Sequence, residues 1–248
     1  MHTQPPPDGR PVLFLDDGGV MSDNDLRAPQ WQALVGEYMP PRLGASPAAW
    51  AEANRVAVGA LFDEWFAWVR AEPDAPYDTL WARYQARWVR DMCAYLGISA
   101  PASDADCARL AEAASAWVIP RVRAAFAGAA EAIRALHAAG YVLHTASGEH
   151  SAELALYLTA MGVREQFASL YGPDLVARPK AGPVFYERIF HHAGVPAARA
   201  LVVDDSERAL AWATAAGAQT VLCRPGGSSQ APPTCIGSLA DLPALLAG

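Results

Sequence analysis

Short apolar runs that end at polar or glycine residues occur at the start of the chain and through its second half, and they predict buried strands. The predicted strands are residues 11–15, 141–145, 169–171, 200–204 and 220–223. Segments with helical spacing separate the later strands, and the predicted helices are residues 129–139, 149–161, 183–193 and 207–216. Alternation at this length is typical of parallel crossovers, so we expect an α/β fold with one doubly wound parallel sheet.

The stretch between the first strand and the rest has a different pattern, with long helical segments and no convincing strand. The helices predicted there are residues 26–38, 47–71, 76–96 and 103–118. The stretch also holds seven of the eight tryptophans, several at helical spacing, which favours a helix-bundle core over rings that line a substrate pocket. We therefore predict an α/β core from residues 1–20 and 120–248, and an inserted α-helical domain from residues 21–119.

Composition narrows the classes of partner. The 248 residues carry 19 basic and 26 acidic side chains and a net charge of -7, which argues against a nucleic-acid partner. There is no apolar run long enough to span a membrane, and Met1–Arg10 lacks the apolar stretch of a signal peptide. The four cysteines form no C-x-x-C pair, so we expect reduced thiols and a cytoplasmic location. The sequence leaves open whether the protein is a monomer or a homodimer.

Polar residues that could take part in catalysis or metal binding lie where the predicted parallel strands end. This is the edge at which doubly wound sheets bind ligands. They are Asp16 and Asp17 after the first strand, Thr145, Ser147 and Gly148 after the second, Asp204 and Asp205 after the fourth, and Arg178 and Lys180 in a loop. Lys180 is the single lysine of the chain. Carboxylates that converge in one crevice repel each other unless a cation neutralises them, and oxygen ligands favour Mg²⁺.

In this order, the motifs resemble those of the haloacid dehalogenase (HAD) superfamily of phosphatases and dehalogenases, whose helical cap is inserted where this chain has its long helices. The resemblance implies a HAD-like Rossmannoid core and a Mg²⁺ cofactor. It implies that Asp16 is the nucleophile, that Thr145 hydrogen-bonds the transferring group, and that Lys180 pairs with the nucleophile and phosphoryl oxygens. Asp204 and Asp205 would form the acidic metal site, with Asp16 and the backbone carbonyl of Gly18 as further metal ligands. Ser147, Gly148 and Arg178 are candidates for substrate binding.

One position departs from the pattern of the superfamily's phosphatases, which carry a second Asp two residues after the nucleophile. Gly18 stands there in this chain, and Asp17 should point away by strand alternation. A missing general acid or base costs about 10²–10⁴ in rate. Another group could supply the proton, the leaving group could need none, or the protein could be a slow enzyme or a binder. The candidates for the replacement are Asp23, His144, Glu149 and His150.

The favoured hypothesis is a Mg²⁺-dependent hydrolase that dephosphorylates a small organic molecule through an aspartyl-phosphate. The first alternative is a carbon–halogen hydrolase resembling the 2-haloacid dehalogenases, in which Asp16 attacks carbon. The second is a catalytically impaired protein that binds phosphate or a metabolite. A phosphonatase resembling the known ones would need a lysine in the cap, and residues 21–119 contain none.

Overall fold

The structure is a computed structural model that describes residues 9–72, 75–224 and 234–247, so most of Met1–Arg10 lies outside the described residues. The chain forms two compact units. One consists of Met1–Asn24 and Ala124–Gly248, and we call it the α/β unit. The other consists of Asp25–Arg123, and we call it the helical unit.

The α/β unit is built on a parallel sheet of six strands in the order β3-β2-β1-β4-β5-β6. The strands are β1 (Val12–Leu15), β2 (Leu143–Ala146), β3 (Phe167–Tyr171), β4 (Ala200–Asp204), β5 (Gln219–Cys223) and β6 (Thr234–Ile236). The predicted α/β fold with a doubly wound parallel sheet is confirmed. The sequence pattern missed β6, because three residues are too few to show a strand period.

Ten α-helices connect or follow these strands within the described residues. They are α1 (Asn24–Tyr38), α2 (Pro40–Leu43), α3 (Pro47–Ala71), α4 (Tyr77–Leu96), α5 (Asp104–Val118), α6 (Ala129–Ala138), α7 (Ser151–Ala160), α8 (Pro183–Ala193), α9 (Glu207–Ala215) and α10 (Leu242–Ala247). Alternate residues of β1 enter two apolar clusters, with Leu13 packed among residues of α6 and α7 and Phe14 among residues of α8 and α9. The sheet is therefore covered on both faces, which explains why its strands are largely apolar and why β1, β2 and β4 are buried along their whole length.

The helical unit is organised around the long helices α3, α4 and α5. Ser46 caps α3 by accepting a hydrogen bond from the backbone of Ala49, and Gly97 ends α4 in the left-handed conformation. Trp50 is fully buried and Trp88 nearly so, with its indole nitrogen 2.8 Å from Oδ1 of Asn54. Phe62 is 60% exposed, so the aromatic residues divide between the core and the surface of this unit.

Four predicted boundaries are wrong by two residues, and two of them are the starts of α1, at Asn24 rather than Leu26, and of β3, at Phe167 rather than Ser169. Helix α7 begins at Ser151 rather than at Glu149, because the Nδ1 atom of His150 caps it by accepting from the backbone of Ala152 at 3.2 Å. Strand β2 begins at Leu143 rather than at Tyr141. Among the described residues, every helix is either too short or too polar to cross a lipid bilayer.

Candidate active site

The site is formed where β1 and β4 end beside each other. The two strands pair in parallel with Leu15 opposite Val203, and the backbone N–H of Asp16 donates to the carbonyl oxygen of Val203 at 2.9 Å. Asp204 is the last residue of β4. The register therefore brings the carboxylates of Asp16 and Asp204 to one edge of the sheet although they are far apart in sequence.

The side chain of Lys180 links these two carboxylates. Lys180 lies in the loop between β3 and α8, and its Nζ atom is 3.0 Å from Oδ1 of Asp16 and 2.7 Å from Oδ2 of Asp204. Its side chain is only 11% exposed. The single lysine of the chain is thus turned toward the carboxylates and away from solvent, as the sequence hypothesis requires.

Burial and charge shift the ionisation of this cluster. Desolvation raises the pKa of Asp16 to about 7; Lys180 opposes this rise, and Asp204 adds to it by repulsion. Burial alone would lower the pKa of Lys180, but attraction to Asp16, Tyr186 and Asp204 raises that pKa well above its ordinary value. The lysine is therefore charged at neutral pH, and a further positive charge beside Asp16 would favour the ionised form of its carboxyl group.

Asp205 lies beside the same cluster because Gly19 lets it approach. Gly19 has a φ of +81°, and a Cβ atom at this position would clash with the carboxylate of Asp205. Desolvation, followed by repulsion from Asp204, raises the pKa of Asp205. The glycine thus serves two purposes, since it adopts a left-handed conformation and makes room for the carboxylate.

The residues of this cluster fit a divalent cation. Asp16, Asp204 and Asp205 offer carboxylate oxygens that lie within 4.8 Å of one another. Opposite ligands of Mg²⁺, with bonds of about 2.0–2.1 Å, lie about 4.2 Å apart, so small side-chain rotations suffice to bring these oxygens onto one ion. Three carboxylates and one ammonium leave two negative charges, which one divalent cation balances.

Tyr186 is a member of the cluster that the sequence reasoning missed. Its hydroxyl donates to Oδ2 of Asp204 at 3.5 Å, and the residue is fully buried. Burial is the main cause of its raised pKa. A signal was available, because Tyr186 lies in the first half of the helix that follows Lys180.

Asp17 and Thr145 have partners of their own. Asp17 is fully buried and its Oδ1 accepts from the hydroxyl of Ser22 at 3.0 Å, while its backbone oxygen accepts from Met21 and Ser22. Thr145 pairs with Leu15 in the sheet, and its hydroxyl donates to the backbone oxygen of Tyr171 at 3.1 Å. Asp17 thus stabilises the loop after β1, and contact of Thr145 with a transferring group stays a prediction.

The three candidates for substrate binding lie in the loops that follow β2 and β3. Ser147 is buried, and its hydroxyl oxygen accepts from the backbone of Glu149 at 3.2 Å. Gly148 has open space where a Cβ atom would be. The backbone N–H of Arg178 donates to the carbonyl oxygen of Pro173 at 2.9 Å, which shapes the loop that carries Lys180. Substrate contact by these residues stays a prediction.

The residues considered as a replacement acid or base differ in their surroundings. His144 stacks on Phe14 with ring centroids 5.1 Å apart, and burial lowers its pKa to about 4. It is therefore neutral at physiological pH and packs in the apolar cluster under α8. His150 uses Nδ1 to cap α7, and the backbone N–H of Asp23 donates to Ala124 at 2.7 Å. Glu149 directly precedes His150 in the loop after β2.

The sheet order, the inserted helices and the carboxylate cluster define a class of hydrolase. A family model described as "haloacid dehalogenase-like hydrolase" matches residues 38–217. The chain belongs to this family, and it is a HAD-like hydrolase.

Individual relatives span both chemistries of the family. A phosphoglycolate phosphatase of Mesorhizobium japonicum is 33% identical over 103 residues, which are 42% of this chain and 45% of that relative. The L-2-haloacid dehalogenase of Xanthobacter autotrophicus superposes with a TM-score of 0.66 at 16% identity, over 96% of this chain and 99% of that one. The HAD-hydrolase YfnB of Bacillus subtilis, bound to magnesium, gives 0.63 at 17% identity, over 96% and 98%. At sequence identities of 16% and 17%, these structural similarities show a shared fold alone.

Proposed function

We propose that this hydrolase is a Mg²⁺-dependent phosphatase that cleaves small organic phosphates through an aspartyl-phosphate on Asp16. The observation that carries the proposal is the cluster of Asp16, Asp204 and Asp205 around Lys180, whose two excess negative charges match a divalent cation. The relative named a phosphoglycolate phosphatase also supports phosphatase chemistry.

Mg²⁺ would be held by the carboxylates of Asp16, Asp204 and Asp205 and by the backbone carbonyl of Gly18, and it would offset the charge of the phosphoryl oxygens. Lys180 keeps the Asp16 carboxylate in place through the 3.0 Å contact and presents a second positive charge to the same phosphoryl group. Thr145, Ser147 and Arg178 are the candidates for further contacts with the substrate.

The reaction proceeds in two displacements at phosphorus. A carboxylate oxygen of Asp16 forms a bond to phosphorus while the bond to the leaving oxygen breaks, and the leaving group keeps that electron pair. A water molecule then attacks the aspartyl-phosphate, which releases inorganic phosphate and returns the Asp16 carboxylate. Only the ionised form of Asp16 can start this sequence, so lowering its pKa is a task of the surrounding positive charge.

A second candidate is a carbon–halogen hydrolase, and Gly18 is the observation that favours it. A side chain that protonates a leaving oxygen is unnecessary when the leaving group is halide. In this alternative Asp16 attacks carbon and forms an ester, water hydrolyses the ester, and halide leaves with the bonding electrons. The acidic pair Asp204 and Asp205 speaks against it, because such a reaction needs no metal.

The test is a panel of phosphate esters and 2-haloacids, assayed for phosphate and halide release with Mg²⁺ and with EDTA. Asp16→Asn is the diagnostic variant, and Asp17→Asn is its matched control. The control makes the same change one residue away, at a side chain whose Oδ1 accepts from Ser22 and can still do so as an amide.

We expect phosphate release that EDTA abolishes, that Asp16→Asn lowers by at least about 10³-fold, and that Asp17→Asn changes little. Mass spectrometry of acid-quenched enzyme should show one added phosphoryl group on the peptide that contains Asp16. Halide release that is insensitive to EDTA would instead establish the second candidate and overturn the first.

A further inference from the structure

The side chain of Asn24 occupies the place where the missing second Asp would begin. A Cβ atom on Gly18 would lie 2.8 Å from Oδ1 and 2.9 Å from Nδ2 of Asn24. These distances are shorter than ordinary van der Waals contact. The carboxamide therefore lies where a side chain at position 18 would begin, and it would have to move to admit one.

The backbone does not explain the glycine. The φ angle of Gly18 lies outside the left-handed region, unlike that of Gly19. An L-residue could adopt the conformation at position 18 without strain. A side chain at position 18 would instead require the exposed side chain of Asn24 to move, so the two positions are coupled.

A short hydrogen-bonded loop returns Asn24 to this place. The backbone oxygen of Asp17 accepts from the N–H groups of Met21 and Ser22, and the N–H of Gly19 donates to the oxygen of Ser22 at 2.8 Å. Helix α1 then begins at Asn24, which is an exposed residue of the α/β unit. Its side chain thereby lies beside Gly18, just beyond the end of β1.

The chemistry of an amide differs from that of a carboxylic acid in one respect that matters here. A carboxamide offers an N–H donor and an oxygen acceptor, but it has no proton to transfer. It can therefore hydrogen-bond a departing oxygen or an attacking water without protonating the first or deprotonating the second.

We propose that Asn24 is a catalytic residue that takes the place of the second Asp, and that it restricts the enzyme to phosphates whose leaving group departs as a stable anion. Acyl, enol and aryl phosphates meet this condition, whereas alkyl phosphates do not. This inference rests on the proposed phosphatase function. The Asp16 oxygen bonds to phosphorus and the leaving group departs as a carboxylate, enolate or phenolate with the electron pair, so this displacement transfers no proton. Water then attacks phosphorus, the Asp16 oxygen leaves with its electron pair, and both protons of the water stay on the released phosphate.

The experiment compares wild type, Asn24→Ala and Asn24→Asp on acetyl phosphate, 4-nitrophenyl phosphate and glycerol phosphate. Gln32→Glu is the matched control, because it makes the same amide-to-carboxylate change elsewhere on α1. Wild type should favour the acyl and aryl phosphates by at least about 10²-fold in kcat/KM, which is the typical contribution of a general acid. Asn24→Asp should raise kcat on glycerol phosphate by about 10-fold or more and change acetyl phosphate little.

Asn24→Ala should lower kcat on acetyl phosphate by about 10-fold, the loss expected for one hydrogen bond in the transition state, with KM nearly unchanged. The proposal is overturned if wild type hydrolyses alkyl phosphates as fast as acyl phosphates, or if Asn24→Asp and Gln32→Glu have the same effect. Absence of Asp16-dependent phosphate release from every ester overturns the proposed function as well, so the two failures can be distinguished.

A double-mutant cycle measured by thermal unfolding tests the contact between Asn24 and position 18 without any assay of activity. Gly18→Ala should lower the Tm by up to about 2 °C in wild type, because the new methyl group displaces the carboxamide of Asn24. The same change in the Asn24→Ala background should cost much less. An equal loss in both backgrounds would show that Asn24 does not fill the space at position 18, and would overturn the proposal.

Discussion

The two units of the molecule treat charged side chains in opposite ways. In the α/β unit, Lys180 and Asp204 form an ion pair whose side chains are 11% and 1% exposed. In the helical unit, Arg87 pairs with Glu64 through side chains that are 41% and 40% exposed. Buried ion pairs are weak evidence for stability, because desolvation can exceed the attraction gained. The proposed phosphatase chemistry at the sheet edge gives a reason for this pair that stability does not.

Replacing one basic side chain in each unit should give the largest difference in stability between the units. Lys180→Met leaves Asp16 and Asp204 buried without their ammonium partner, and it should lower the free energy of unfolding by about 3–5 kcal/mol. Arg87→Met should cost less than about 1 kcal/mol. Urea denaturation in EDTA at pH 8 measures both. Equal losses of unfolding free energy would show that the buried charges around Lys180 affect stability no more than the exposed pair does.

The two units also differ in their histidines, because all six lie outside residues 25–123. Burial lowers the pKa of His144 from 6.5 to about 4, so the folded state resists protonation more than the unfolded state does. The stability from this neutral ring is present above pH 6.5 and is lost as pH falls toward 4. His144→Phe should therefore be more stable than wild type by about 2 kcal/mol at pH 5 and nearly equal at pH 8.

The test is urea denaturation of wild type and His144→Phe over this pH range. A pH dependence that survives in the variant would locate the acid sensitivity elsewhere. His137→Phe is a suitable control, because His137 lies near the exposed end of α6 rather than under α8.

Two glycines with similar backbone angles provide a finer comparison. Gly19 has a φ of +81° and would clash with Asp205 if it carried a Cβ atom, whereas Gly44 has a φ of +78° and open space around it. Alanine should cost about 1–2 kcal/mol of strain at either position. Gly19→Ala should also displace Asp205 and weaken Mg²⁺ binding by about 10–100-fold. Calorimetric Mg²⁺ titration of both variants separates the two effects, and equal affinities would contradict the metal site.

Helix caps should show the smallest difference between the units. Ser103 accepts from the backbone of Asp106 at the start of α5, and Ser206 accepts from Ala209 at the start of α9. Either serine replaced by alanine should cost about 1 kcal/mol, because a cap is a local interaction. Thermal unfolding of the two variants measures this. Unequal costs would mean that Ser206 also supports the neighbouring Asp204 and Asp205.

Local patterns predicted much of the fold. Helix α3 matches its predicted range of residues 47–71 because Ser46 and Pro47 mark its start, and strand β4 ends at Asp204 as its apolar run indicates. The approach of Asp16, Lys180 and Asp204 was also foreseen, because parallel strands carry their carboxyl ends to one edge of the sheet.

Contacts that depend on the conformation of loops could not be predicted from the sequence pattern. Nothing in the local sequence shows that Asn24 lies against Gly18 or that Asp205 lies over Gly19, since both contacts depend on how loops close. The orientation of His144 likewise follows from packing against Phe14 rather than from its place beside Thr145.

The position of β1 in the sheet has a consequence for how the protein is made. Leu13 pairs with Leu143 on one side and with Leu201 on the other, so β1 is a central strand whose two neighbours are both made much later. The helical unit is contiguous in sequence and emerges from the ribosome long before β4. We expect it to acquire structure first during translation, while Asp16 at the end of β1 lacks its neighbour Asp204 until β4 has been made.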